Sequence, residues 1–246
     1  MPEPENLRNL FSLYRLAGDV GEHAELLVFE GYSVIRARRS AWPVMAFDVD
    51  SHLPGRELAD SIADKMKALD VRPTVVLQDN HVQPGVMRQA GFFPADQWVG
   101  MSYGGIGSRI AGFNDSNVID GRNDIVAWTN VVSETLFHQN PLDEGIFQGL
   151  CSRGVELIGV KAGDELAGTS MVYIDEDGIA GIYMVGIKEK FRGRGLGKQL
   201  VVACMKSIAE KGIDKCYLQS TRMGLGLYKG LNFKETDKYL IFCKIK

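Results

Sequence analysis

A glycine-rich stretch between an apolar run and a helical pattern constrains this chain most. The stretch reads Arg-Gly-Arg-Gly-Leu-Gly over residues 192–197, and an apolar run with β-branched residues precedes it at residues 182–187. Residues 197–211 then carry apolar side chains at helical spacing. A strand, a glycine loop and a helix in this order predict an α/β fold, in which helices cover a sheet.

The same stretch predicts a phosphate-binding site. Glycine permits a positive φ and a close approach of the backbone. The first N–H groups of a helix lack backbone partners, and the helix dipole favours an anion beside them. Basic side chains within the stretch add positive charge. We therefore expect the phosphates of a cofactor to be bound by Arg192, Gly193, Arg194, Gly195, Leu196, Gly197 and Lys198.

Two common phosphate motifs do not fit these residues. A Walker A loop needs a glycine where Arg192 stands and a serine or threonine after Lys198, where Gln199 stands. A dinucleotide fingerprint that begins at Gly193 needs its third glycine at position 198. The loop therefore predicts a phosphate site of another kind.

Residues 118–246 resemble the GNAT superfamily of N-acetyltransferases. The signature of that family is Arg/Gln-x-x-Gly-x-Gly/Ala after a central strand, and Arg192, Gly195 and Gly197 satisfy it. Glu189 replaces a proline that is common before the loop. The resemblance implies a mixed sheet flanked by helices.

The resemblance extends to residues 221–233, which are similar to the family's last helix. That helix usually reads as a small polar residue, then Leu-Tyr, then Leu-Gly-Phe. Here Thr221 and Tyr228 occupy the first two positions, and Asn232 replaces the usual glycine. Asparagine tolerates the left-handed conformation, so the turn is expected to survive.

The family resemblance also implies an activity and a set of roles. It implies an N-acetyltransferase that passes an acetyl group from acetyl-CoA directly to a primary amine, without a metal. Val185 and Ile187 would hold the pantetheine arm on a strand with a bulge near Gly186. Thr221 would touch the pantetheine or the attacking group, and Tyr228 would protonate the leaving thiolate.

Two other functions stay open. One is a non-catalytic acyl-CoA-binding sensor or scaffold. The other is an aminoacyl-type transferase of the tandem GNAT-like group, which the intact loop and the net charge of −3 disfavour.

The general base also stays open. Tyr183 or a bound water is a candidate base, whereas Glu134, Asp175, Glu176 and Asp177 are expected to be solvated.

Composition limits the partners and the location. A net charge of −3 disfavours nucleic acid, and the apolar runs are too short to span a membrane. The four cysteines lie far apart, which predicts reduced thiols in a cytoplasmic protein without a secretory signal. The histidines have no metal-ligand spacing. We expect a small-molecule or peptide amine as acceptor, and a monomer or homodimer.

The first half of the chain repeats the order of predicted elements found in the second half. We predict a degenerate GNAT-like domain over residues 1–112, a linker over residues 100–117 and a catalytic domain over residues 118–246. Equal spacing places Asp50 opposite Arg192, and Met87 where the second half has Tyr228. The first half is therefore expected to bind no CoA and to pack its sheet against the second as a pseudo-dimer.

Overall fold

The computed structural model describes residues 4–50, 55–79, 84–108 and 116–244. They form one mixed sheet with helices on both faces, which confirms the predicted α/β fold. None of the helices among them is long and apolar enough to cross a membrane. The helices are α1 (Glu5–Gly18), α2 (Arg56–Ala68), α3 (Pro84–Gln89), α4 (Ile125–Leu136), α5 (Glu144–Ser152), α6 (Leu196–Glu210) and α7 (Leu225–Gly230). The strands are β1 (Ala24–Phe29), β2 (Tyr32–Ala37), β3 (Val44–Phe47), β4 (Thr74–Gln78), β5 (Phe92–Gly104), β6 (Val118–Asp120), β7 (Glu156–Ala162), β8 (Glu165–Ile174), β9 (Ala180–Ile187), β10 (Lys215–Ser220) and β11 (Lys234–Lys244).

The strand order shows that the two halves share one sheet. It runs β1-β2-β3-β4-β11-β5-β10-β9-β8-β7-β6. The last strand of the first half, β5, therefore pairs with β10 of the second half, and the last strand of the chain, β11, pairs with β4 of the first half. From β1 and from β7 inward, the pairs follow one series: two antiparallel, one parallel, one antiparallel. The expected packing of two separate sheets is therefore wrong. The duplication itself stays a prediction.

Apolar side chains fill both faces of this sheet. On one face, a cluster beneath α1, α4 and α5 extends across both halves, and it includes the buried Trp128, Phe147 and Phe47. On the other face, α6 and α7 cover a second cluster, while α2 and α3 cover a third. One side of the sheet is thus a single core common to both halves.

Helix α1 was missed by the sequence analysis. Its buried side chains recur at helical spacing, through Leu7, Leu10, Leu13 and Ala17. The acidic and polar residues at the start of the chain obscured this pattern. The helix matters for the site because it packs against strands of both halves, including β5, β9 and β10.

Two further boundaries differ from the predicted ones. Residues 24–37, whose β-branched and aromatic residues predict extended structure, form a hairpin, because Gly31 adopts a φ of 80° between β1 and β2. The predicted linker is wrong at its start, since β5 extends to Gly104. Residues 109–115 of that linker, and residues 51–54 of the degenerate loop, lie outside the described residues.

Candidate functional site

Strands β9 and β10 diverge towards their carboxyl ends. They pair in parallel only at Cys216 with Ala180 and at Tyr217 with Gly181. Beyond that point β10 remains paired with β5 as far as Ser220, and β9 remains paired with β8. The divergence leaves a V-shaped opening in which one edge of β9 lacks a neighbouring strand.

A bulge lies in β9 beside this opening. The register with β8 shifts between Tyr183 and Gly186, and Met184 adopts a φ of 52°. This confirms the bulge that was expected near Gly186. The side chains of Tyr183 and Met184 pack against the cluster beneath α1, α4 and α5. Those of Val185 and Ile187 pack on the other face of the sheet, against the cluster beneath α6 and α7. Two consecutive side chains thus point to one face, as a bulge requires.

Helix α4 lies directly against the bulged strand. A Cβ atom on Gly186 would stand 2.2 Å from Oγ1 of Thr135, so only glycine permits this approach. The neighbouring Glu134 carboxylate lies 3.9 Å from the ammonium group of Lys188, which also pairs with Glu165 at 3.0 Å. Helix α4 therefore forms one wall near the opening.

The glycine loop presents a row of backbone donors at the end of the opening. Gly193 and Gly195 have φ values of 76° and 79°, which favour glycine. No side chain caps α6, which begins at Leu196. Within the described part of the chain, the N–H groups of residues 193–198 have no hydrogen-bond acceptor. These donors match the chemistry of a phosphate group.

Three cations surround these donors. Arg192, Arg194 and Lys198 are exposed, and none pairs with a carboxylate among the residues that the structure describes. The Nε–H of Arg192 donates to the carbonyl of Ile187 at 3.1 Å, which ties the loop to the end of β9. The guanidinium of Arg194 lies 5.4 Å from the ring centre of Phe191. No carboxylate of the described residues thus neutralises the positive charge at the loop.

Helix α7 brings Tyr228 next to the loop. A Cβ on Gly197 would stand 3.3 Å from Leu227, the residue before Tyr228, so α6 and α7 meet at this glycine. Tyr228 is buried, and its ring packs edge-on against Phe233 at 5.7 Å. Its hydroxyl has no hydrogen-bond partner in the described ranges. Burial raises the pKa of Tyr228 above its usual value, so the phenol retains its proton at neutral pH and is available as a hydrogen-bond donor.

The end of β10 adds two polar residues beside α7. Thr221 is exposed, and its carbonyl accepts hydrogen bonds from Ser220 Oγ at 2.8 Å and from the Gly224 N–H at 3.0 Å. A Cβ on Gly224 would stand 2.9 Å from Ser220 Oγ and 3.1 Å from the Tyr228 ring. Ser220, which no sequence motif marked, therefore lies beside the same glycine as Tyr228.

The structure excludes one candidate general base and shows that one carboxylate predicted to be solvated is buried. The Tyr183 hydroxyl donates to Asn9 at 2.5 Å, and burial raises its pKa, so it does not serve as a base. Asp175 is 9% exposed and accepts a hydrogen bond from Asn9, so its predicted solvation is wrong. Glu176 and Asp177 are exposed, as expected. No three potential metal-ligating side chains converge within the described residues.

The predicted site residues thus gather around one opening. Val185 and Ile187 lie on its strand, residues 192–198 close its end, and Thr221 and Tyr228 follow the opposite strand. The first half contributes β5 and α1 to the same region.

Comparisons with known proteins give a family match and a shared fold. Residues 124–233 match the Acetyltransferase (GNAT) family. A mycothiol acetyltransferase from Corynebacterium aurimucosum is 33% identical over 66 residues, which are 26% of this chain and 22% of that protein. The matched part thus spans about a fifth of the curated relative.

Two solved structures share the fold over almost the whole chain. A GCN5-related N-acetyltransferase from Kribbella flavida has a TM-score of 0.69 at 14% identity, covering 97% of this chain and 95% of that one. A putative acetyltransferase of the GNAT family from Novosphingobium aromaticivorans has a TM-score of 0.65 at 17% identity, covering 99% and 100%. At these identities the likeness establishes the fold.

Proposed function

We propose that this chain, a member of the GNAT acetyltransferase family through its domain at residues 124–233, transfers an acetyl group from acetyl-CoA to a primary amine. One observation carries the proposal. The β9–β10 opening ends at a loop whose backbone donors and cations have no anionic partner among the described residues. An extended arm that ends in a pyrophosphate fits such a combination.

Each part of acetyl-CoA has a counterpart in this arrangement. The loop at residues 192–198 would bind the pyrophosphate through backbone N–H groups and charge-assisted hydrogen bonds. The amide groups of the pantetheine arm would pair with the free backbone edge of β9 at Val185 and Ile187, in the manner of an added strand. Thr221 would line the opposite side. This assignment places the thioester near the bulge.

The residues around the thioester would then assist its cleavage. The amine nitrogen attacks the carbonyl carbon and loses a proton to solvent, and the carbon–sulfur bond breaks. A backbone N–H at Ile187 or its neighbour would stabilise the negative charge that develops on oxygen. The Tyr228 hydroxyl, which burial keeps protonated, would donate a hydrogen bond to the departing sulfur.

The state of the cysteines supports direct transfer without an acyl-enzyme. A thiolate is the reactive form of cysteine. Burial raises the pKa of Cys204 to about 12 and that of Cys151 to about 11, and it also raises that of Cys216. Cys243 is buried as well. The first three thiols are therefore not ready nucleophiles, and Cys243 lies on β11, which does not border the opening, so the amine itself would attack.

Calorimetry with acetyl-CoA tests the binding half of the proposal. We expect Arg192→Ala to weaken binding by about 1.5–3 kcal/mol, the range for charge-assisted hydrogen bonds. Arg153→Ala is the matched control, because Arg153 pairs with Asp19 at 3.2 Å on the surface, away from the loop. Equal affinities for the two variants would contradict the phosphate assignment.

Turnover tests the chemical half. Thiol release from acetyl-CoA is measured with amino acids, polyamines, aminoglycosides and peptides as acceptors. Release that depends on one class of amine would establish both the transfer and the acceptor. Tight acetyl-CoA binding without release by any amine would favour a sensor or scaffold instead.

A further inference from the structure

Helix α1, at the start of the chain, is hydrogen-bonded into the hairpin that carries the bulge. Asn9 is fully buried. Its Nδ2 donates to Asp175 at 3.0 Å and to the carbonyl of Ile179 at 2.7 Å. Its Oδ1 accepts from the Tyr183 hydroxyl at 2.5 Å. All three partners belong to β8, β9 or the turn between them, so one side chain of the first half holds this hairpin.

The contact depends on a glycine in β9. A Cβ on Gly181 would stand 2.2 Å from Asn9 Oδ1 and 2.6 Å from the Tyr183 hydroxyl. Any side chain at this position would displace both groups. The strand thus leaves space for the asparagine at the last residue of β9 that pairs with β10.

Tyr183 transmits this contact to the bulge. It immediately precedes Met184, whose φ of 52° is uncommon for a residue with a side chain. Such a conformation persists when its surroundings hold it in place. Because the Tyr183 hydroxyl is fixed by Asn9, the direction in which β9 leaves β10 is fixed with it.

We infer that Asn9 and Tyr183 are positioning residues for the acetyl-CoA-binding edge of β9. The inference rests on the proposed function. Asn9 is fully buried, and Tyr183 is partly buried and packs against the core beneath α1. They act on Val185 and Ile187 through the backbone. The first half of the chain would then contribute to cofactor binding without a binding site of its own.

The same helix offers a matched control. Asn6, almost one turn earlier, accepts a hydrogen bond from the Tyr239 hydroxyl at 2.6 Å. Tyr239 is fully buried and lies on β11, which does not border the opening. Tyr183→Phe and Tyr239→Phe therefore each remove a hydroxyl group that donates to an asparagine of α1. The two substitutions differ in the strand that carries the tyrosine, which is β9 for Tyr183 and β11 for Tyr239.

Two measurements on the full-length chain test the inference. Calorimetry with acetyl-CoA is expected to show about 3- to 30-fold weaker binding for Tyr183→Phe, the range for residues that couple to a site without touching its ligand. Tyr239→Phe should bind as the wild type does. Without ligand, amide hydrogen exchange in the segment 183–187 should be faster only in Tyr183→Phe.

The outcomes separate the two proposals. Wild-type protein that does not bind acetyl-CoA would overturn the proposed function and this inference with it. Wild-type binding together with equal affinity and equal exchange in both tyrosine variants would overturn only the positioning role. If both variants lose affinity equally, the effect is general destabilisation and the inference also fails.

Discussion

Tyr228→Phe separates a catalytic tyrosine from one that only packs. The substitution removes one oxygen and keeps the ring that packs against Phe233 at 5.7 Å. The hydroxyl has no partner in the part of the chain that the structure describes, so no protein hydrogen bond is lost. We therefore expect the free energy of unfolding to change by less than about 1 kcal/mol. Acetyl-CoA affinity should also stay near the wild-type value.

Turnover should change far more than stability. Loss of a positioned proton or hydrogen-bond donor to the leaving sulfur lowers the rate by roughly 10²-fold or more. Because burial raises the pKa of Tyr228 above its ordinary value, Tyr228 stays protonated through the neutral pH range, and its ionisation does not reduce the wild-type rate there. The pH profiles of wild type and Tyr228→Phe should therefore run parallel over that range.

Tyr103 provides the control for this substitution. Its ring packs at 5.3 Å against the same Phe233, and it is equally buried. Tyr103→Phe should leave both stability and turnover nearly unchanged. The assay is thiol release with the best acceptor from the amine panel, alongside thermal unfolding. If Tyr228→Phe turns over as fast as Tyr103→Phe, the reasoning is refuted and Tyr228 is a packing residue.

Three more predictions concern the rest of the chain. Burial alone would raise the pKa of Glu156, but hydrogen bonds from Lys211 and Ser207 lower it. Glu156→Gln should therefore lower the free energy of unfolding by up to about 1 kcal/mol at neutral pH. In denaturant titrations, this difference from wild type should vanish as the pH falls below 4.5 and Glu156 becomes protonated. Calorimetric titration should give one CoA per chain, and two would contradict the degenerate first half. The fragment 118–246 should be poorly soluble, since β5 and α1 would be missing; a stable and fully active fragment would contradict this.

Local features of the site were predictable from sequence. The glycine loop has a short-range cause, because Gly193 and Gly195 need positive φ values and Gly197 must admit Leu227. The bulge near Gly186 followed from the family resemblance. Such features depend on a few adjacent residues, so a motif describes them well.

Contacts between distant segments were not predictable in this way. Nothing in the periodicity of β5 or β11 shows that β5 pairs with β10 and β11 with β4, since both edges of a strand offer the same backbone groups. The buried polar role of Asn9 and Asp175 was also missed, because both residue types are usually solvated. One hydrogen bond that supports their burial joins the two residues to each other across 166 positions of the chain, which no local pattern shows.

The exchanged strands explain how the opening can exist within a sheet. Beyond Tyr217, β10 loses β9 as a neighbour, and buried backbone groups without partners are costly. On its other edge, Leu218 and Ser220 remain paired with Met101 and Val99 of β5, a strand of the first half. One edge of β10 is thus paired with β5 along its full length, whereas its other edge faces the opening beyond Tyr217. The first half therefore supports the site through its last strand and its first helix, even if it binds no cofactor itself.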